Sequence, residues 1–236
     1  LAALVGAPLC EKFKKNTINK NINSLKKLIK NLNKNQKIIY PTTNSGYGIG
    51  QKDKFCDENS PLNPISLYGS TKAEAEQIIL KFGNAVCFRL ATVFGYSYRM
   101  RTDLLVNNFV ERSIKTNKLQ LFEPHFRRNY IHISDVVDAF VFAMKNFKKL
   151  KGNTFNLGLS SANLTKYSLA KLIQKQHKKL KITKIKNKSD PDKRDYFVSN
   201  KKIEKKGFKA KISLDQGIRE LVEVFKNNRK RVINNY

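Results

Sequence analysis

An α/β protein built on a parallel sheet is the fold predicted here, and three stretches carry that expectation. Ala85–Leu90 is a nearly unbroken apolar run, the pattern of a parallel strand covered on both faces. Lys37–Tyr40 is a second short apolar run, and it leads into a hydroxyl-rich turn, Pro41-Thr42-Thr43-Asn44-Ser45-Gly46-Tyr47-Gly48. That places Thr43 at the carboxyl end of a strand, where open α/β sheets bind ligands. Ahead of both, Ile18, Ile22, Leu25, Leu28, Ile29 and Leu32 recur at helical spacing, which predicts an amphipathic helix over 16–32 with a lysine and asparagine outer face. A chain of 236 residues is long enough to bury a sizeable core.

In chain order, a polar loop from Gly48 to Leu62, with Asp53, Asp57, Glu58 and Pro61, precedes an Asn63-Pro64 turn. A helix is predicted from about Ile65 to Phe82, ended by Gly83-Asn84. After the strand at Ala85–Leu90 come a helix from about Leu104 to Lys115, a short strand at Leu119–Leu121, and a strand ending in a loop over Thr154–Gly158. Thr165 starts an amphipathic helix reaching about Lys178, and a last helix runs from Leu214 to about Lys230.

The formal net charge of +29 raises nucleic-acid binding as an alternative class of function. The lysines, however, are spread along the chain beside asparagines, as over 16–35 and 178–188, without aromatic residues gathered on one face. Such a surface gives salt-sensitive, nonspecific attraction and no readout of sequence, so no specific nucleic-acid partner is expected. There is no run of about 18 apolar residues, and 1–7 lacks the basic flank and length of a signal peptide, so a soluble cytoplasmic protein without membrane contact is expected. Cys10, Cys56 and Cys87 are unclustered, as are His125, His132 and His177, and neither set has metal-ligand spacing.

The chemistry centres on Leu67-Tyr68-Gly69-Ser70-Thr71-Lys72. Four residues apart on a helix, Tyr68 and Lys72 lie on one face. An ammonium near a phenol favours the phenolate, which can then exchange a proton with a sugar hydroxyl. Together with Thr43, 25 positions before Tyr68, the pair resembles the catalytic set of the extended short-chain dehydrogenase/reductase family, in particular its nucleotide-sugar epimerases and dehydratases.

That resemblance implies a Rossmann-type sheet, of which this chain carries the later strands, and a smaller carboxyl-terminal α/β substrate-binding domain. The implied division is 1–95 for the partial NAD-binding part and 96–236 mainly for the nucleotide sugar, with some segments returning to the sheet. Leu1, Ala2 and Ala3 resemble the end of the family's fourth strand, which touches NAD (or NADP) near the nicotinamide ribose; Tyr68 and Lys72 share that contact. No G-x-x-G-x-x-G or G-x-G-x-x-G turn occurs in the sequence, so roughly sixty to seventy residues of the family's unit are expected to be missing. Asn21 matches an asparagine that supports the active-site backbone. Arg128 and Arg194 match arginines that bind the diphosphate, with Asn129 replacing an aspartate, and Thr92 stands where an asparagine usually contacts substrate. Asp135 matches an aspartate near a helix start, a position that also suits the helix dipole.

The implied reaction is NAD-dependent epimerisation of a nucleoside-diphosphate sugar through a transient ketone, in a homodimer. Tyr68 is the acid/base, Lys72 lowers its pKa, and Thr43 orients the substrate oxygen. The 4,6-dehydratases carry Thr-Asp-Glu where this chain has Thr43-Asn44-Ser45, which supplies no carboxylate for elimination. A ketoreductase of the same family is the alternative reaction.

Overall fold

The computed structural model describes residues 3–51, 54–185 and 193–227. Helices α1 (Ala7–Lys12), α2 (Lys14–Ile18) and α3 (Ser24–Lys30) come first, with a π-helical turn, Asn19–Asn23, joining the last two. Strands β1 (Ile38–Thr43) and β2 (Phe55–Cys56), helix α4 (Leu67–Phe82), and strands β3 (Ala85–Leu90) and β4 (Thr92–Phe94) follow. Next are α5 (Leu105–Thr116), β5 (Lys118–Leu121), β6 (Arg127–His132), α6 (Ile133–Lys145), α7 (Phe147–Leu150) and β7 (Asn153–Leu157). The chain continues through β8 (Asn163–Thr165), α8 (Lys166–Gln176), β9 (Lys181–Lys184), β10 (Phe197–Val198), α9 (Lys201–Lys205) and α10 (Leu214–Lys226).

A parallel sheet in the order β1-β3-β7 forms the centre, with Ile38 opposite Ala85 and Val86 opposite Asn153. Alternation along β3 sorts its side chains to two cores. Ala85 and Cys87 pack with Ile22, Leu25, Ala75 and Ile79 under α3 and α4, while Val86 and Phe88 pack with Phe155, Ala139 and Ala143 under α6. Both faces of β3 are therefore dry, as its apolar run requires. A third core joins α5, α8 and α10 to β4, β5 and β6, and it holds Val106, Tyr130, Leu169 and Ile218. β4 and β6 pair in parallel, β6 and β8 antiparallel, and β5 and β9 in parallel.

Three expectations change. The helix over 16–32 is broken into α2, a π turn and α3, because Asn21 is drawn inward: its amide donates to the Leu4 carbonyl (3.0 Å) and to Thr71 Oγ1 (3.2 Å), and its oxygen accepts from the Leu4 amide (2.9 Å). Residues 3–5 have no regular secondary structure, and Leu1 and Ala2 lie outside the described residues. The loop before α4 contains β2, which pairs with β10 and buries Cys56 against Tyr47, Tyr196 and Val198. Asp53 and the stretch 228–230 of the expected last helix also lie outside the described residues.

Candidate active site

Strand β1 delivers Thr43 to the carboxyl edge of the sheet, where it caps a short 3-10 turn, Asn44–Tyr47. Its hydroxyl accepts from the Ser45 amide (3.1 Å) and donates to Ser45 Oγ (3.0 Å). Gly48 closes the turn at φ 65°, and a Cβ there would overlap the Asn63 carbonyl oxygen. Helix α4 starts nearby because Ser66 accepts from the Gly69 amide (3.2 Å), and it ends at Gly83, φ 83°. Tyr68 is the second residue of α4, which puts its half-buried phenol in hydrogen-bond reach of Thr43.

The electrostatics differ from the simple Tyr–Lys picture. Burial pushes the Tyr68 phenol up, and the hydrogen bond from Thr43 and the charges of Arg194 and Arg101 pull it back. Lys72 is turned to another phenol: its ammonium donates to Tyr40 Oη (3.0 Å) and sits 4.2 Å from that ring's centre. Buried to 5% exposure, Lys72 is lowered to about 8 by desolvation, while Tyr40 is pushed up to about 12 by the same cause. Tyr40 also senses Tyr68, so the three side chains share one neighbourhood.

Arg194 reaches the site across the chain. Its Nη1 donates to Ser45 Oγ, which also accepts from the Thr43 hydroxyl, so Arg194 is tied to the turn that Thr43 caps. Arg128, 2% exposed, lies beneath it, donating to the Arg194 carbonyl and to the Arg127 carbonyl (2.8 Å). Arg127 forms a fork with Asp195, at 2.8 and 3.1 Å; burial works against that carboxylate, but the hydrogen bonds from Arg127 hold it below its usual range. Thr92 stands on β4 opposite Tyr130 and has no contact with Thr43 or Tyr68 among the hydrogen bonds of the described residues. Asp135 accepts from the backbone amides of Lys211 (2.9 Å) and Ile212 (3.0 Å), which ties α6 to the segment before α10. Asn44, next to Thr43, is 1% exposed, and neither atom of its carboxamide has a protein partner.

Sequence reasoning missed Tyr40, Ser45, Arg101 and the pair Glu76–Arg89. Tyr40 read only as an apolar strand position. The signal for Glu76 was present, since it continues the four-residue spacing of Tyr68 and Lys72 along α4.

A parallel α/β sheet with Thr43, Tyr68 and Lys72 at its carboxyl edge defines a scaffold of the short-chain dehydrogenase/reductase type. The profile of the NAD dependent epimerase/dehydratase family matches residues 1–158, and the chain belongs to that family. An uncharacterized protein of Methanocaldococcus jannaschii is 28% identical over 201 residues, covering 82% of this chain and 60% of that protein. The human dTDP-D-glucose 4,6-dehydratase is 27% identical over 208 residues, covering 82% of this chain and 57% of that enzyme. The chain thus spans less than two thirds of these relatives' length. The crystal structure of UDP-glucose 4-epimerase from Thermotoga maritima with UDP-glucose superimposes with a TM-score of 0.83 at 25% identity, covering 98% of this chain and 77% of that one. No helix among the described residues is long and apolar enough to cross a membrane.

Proposed function

We propose that this chain carries the proton-transfer end of an NAD-dependent epimerase acting on a nucleoside-diphosphate sugar. The observation that carries this reading is the packing of the first turn of α4, which holds Tyr68, against the turn Thr43-Asn44-Ser45 after β1. Arg194 and Arg101 pull on Tyr68 while Cys10 acts with the opposite sign, and the turn Thr43-Asn44-Ser45 holds no carboxylate. Elimination of water needs an acid and a base beyond the tyrosine, and this turn has neither.

The phenol, raised by burial, keeps its proton at neutral pH, so Tyr68 is set to donate to a ketone oxygen. Donation leaves Tyr68 as a phenolate that Thr43, Arg194 and Arg101 stabilise, and in the reverse step this phenolate takes the proton back from the sugar hydroxyl. Thr43 orients the substrate oxygen. Lys72 and Tyr68, with the backbone of Leu1 to Ala3, hold the nicotinamide ribose, and NAD when bound supplies the reversible hydride step. Arg194 and Arg128 hold the diphosphate by charge-assisted hydrogen bonds. Cys10, Cys56 and Cys87, free and buried, support a reducing, cytoplasmic setting.

The test is a panel of sugar nucleotides given with NAD to a version of the protein that carries a Gly-rich turn upstream. Interconversion of two epimers without net change of oxidation state is expected. Release of a 4-keto-6-deoxy sugar nucleotide would overturn the assignment.

A further inference from the structure

Strand β1 ends in Thr43, and two residues just before that end reach across to the catalytic helix. Tyr40 and Thr42 stand two apart on β1, so they lie on one face of the strand. Both meet residue 72 of α4. The Thr42 hydroxyl donates to the Lys72 backbone carbonyl (3.4 Å), and the Tyr40 hydroxyl accepts from the Lys72 ammonium (3.0 Å), which stands 4.2 Å from the centre of the Tyr40 ring. The ring is itself fixed, because it packs against the core that holds Ala75, Ile79 and Cys87.

The other polar groups around Lys72 do not touch its ammonium in this way. Glu76, one turn further along α4, is paired with Arg89 (2.7 Å), whose Nη1 donates to the Tyr47 hydroxyl (2.8 Å). Cys87 on β3 is pushed up to about 12 by burial, and Tyr68 is raised by the same cause, so both are uncharged at neutral pH. A buried ammonium needs acceptors for its N–H groups, and a phenol supplies two kinds at once, a lone pair on oxygen and the negative face of the ring.

We propose that Tyr40 is a positioning residue for Lys72: its hydroxyl and ring face hold the buried ammonium at a fixed place beside β1, so the strand that ends in Thr43 also sets the reach of Lys72. This rests on the reading of Lys72 as part of the catalytic set. Two groups that serve one reaction are thereby referred to one rigid element, and a misplacement of about 1 Å in such a site can cost about 100-fold in rate. Burial pulls Lys72 down to about 8. An acceptor on the ammonium works against that pull, because it bonds the charged form.

The experiment is an NMR titration of the chain made with isotopically labelled lysine, in which Lys72→Met identifies the resonance. Tyr40→Phe keeps the ring and its packing and removes only the oxygen. In that variant the midpoint of Lys72 is expected to fall by about one pH unit, a tenfold change in proton affinity. Thr42→Val removes the grip on the Lys72 carbonyl and leaves the partner of the ammonium in place, so its midpoint is expected to stay at the wild-type value. A role limited to packing α4 on β1 would treat the two variants alike. An unshifted midpoint in Tyr40→Phe overturns the proposal, and so does an equal shift in Thr42→Val. Should a variant of the 236-residue chain not fold, the same pair made in the version with a Gly-rich turn upstream decides by the same outcomes. In that version the alkaline limb of kcat/KM is expected to move down with the midpoint in Tyr40→Phe. Retained activity in Lys72→Met would instead remove the catalytic reading of Lys72, an outcome separate from the titration.

Discussion

At the scale of single residues, Tyr68 and Lys72 are both shaped by burial. If Tyr68 exchanges the proton, Tyr68→Phe should reduce turnover by about 10²–10⁴-fold while leaving substrate binding nearly unchanged, because the phenyl ring keeps the packing and loses only the acid/base. Steady-state kinetics beside a binding titration check this, and wild-type turnover would refute it. For Lys72 the sign of the pH dependence follows from its folded value of about 8 against an ordinary 10.5. Between those values the unfolded chain holds a proton that the folded chain has lost, so the cost of burying Lys72 is full below pH 8 and fades as pH rises through that window. Lys72→Met should therefore be more stable than wild type at pH 7 and lose that advantage by about pH 10.5. Urea denaturation at several pH values tests it, and an advantage that grew with pH would contradict the burial argument.

At the scale of elements, the turn after β1 and the start of α4 have to meet, and backbone conformation decides whether they do. Gly48 adopts φ 65° against the Asn63 carbonyl, in the loop that leads into α4. Gly48→Ala should cost at least about 1–2 kcal/mol from the strained φ alone, and the overlap adds to it. It should also slacken Tyr47, the next residue, and with it the brace on Arg89. A lowered urea midpoint with an unchanged m-value is the expected result, whereas a neutral effect would mean that the turn has another low-energy form. The π turn at Asn19–Asn23 is the second such feature. It widens the helix so that Asn21 bridges Leu4 to Thr71 on α4, which holds residue 4 against that helix.

At the scale of the whole molecule, the sheet and the charge set the behaviour of the chain. β1 pairs only with β3 among the described strands, and Val137, Val141 and Met144 form an exposed apolar stripe along α6. The sequence holds no Gly-rich turn to seat a pyrophosphate on a helix N-terminus. The 236-residue chain is therefore expected to bind NAD weakly, and an upstream segment bearing such a turn should tighten binding by orders of magnitude. Calorimetric titration of both forms is the measurement, and micromolar binding by the shorter one would show that the pyrophosphate is held in some other way.

Spacing and periodicity were enough to place Thr43 at a strand end, to put Tyr68 and Lys72 on one helix face, and to read β3 as a strand buried on both sides. Each of these depends on residues a few positions apart, where the 3.6 and 2.0 repeats of the backbone dictate which side chains align. Partners were a different matter. Lys72 bonds Tyr40 from 32 residues away, Asn21 bonds Thr71 across 50, Tyr47 bonds Asn156 across 109, and Arg194 bonds Ser45 across 149. No local pattern encodes such contacts, because they exist only once the sheet has closed and its cores have excluded water. The same exclusion moved the pKa values: Tyr68 goes up and Lys72 down because desolvation, which depends on every neighbour at once, outweighs the one charge that spacing could foresee.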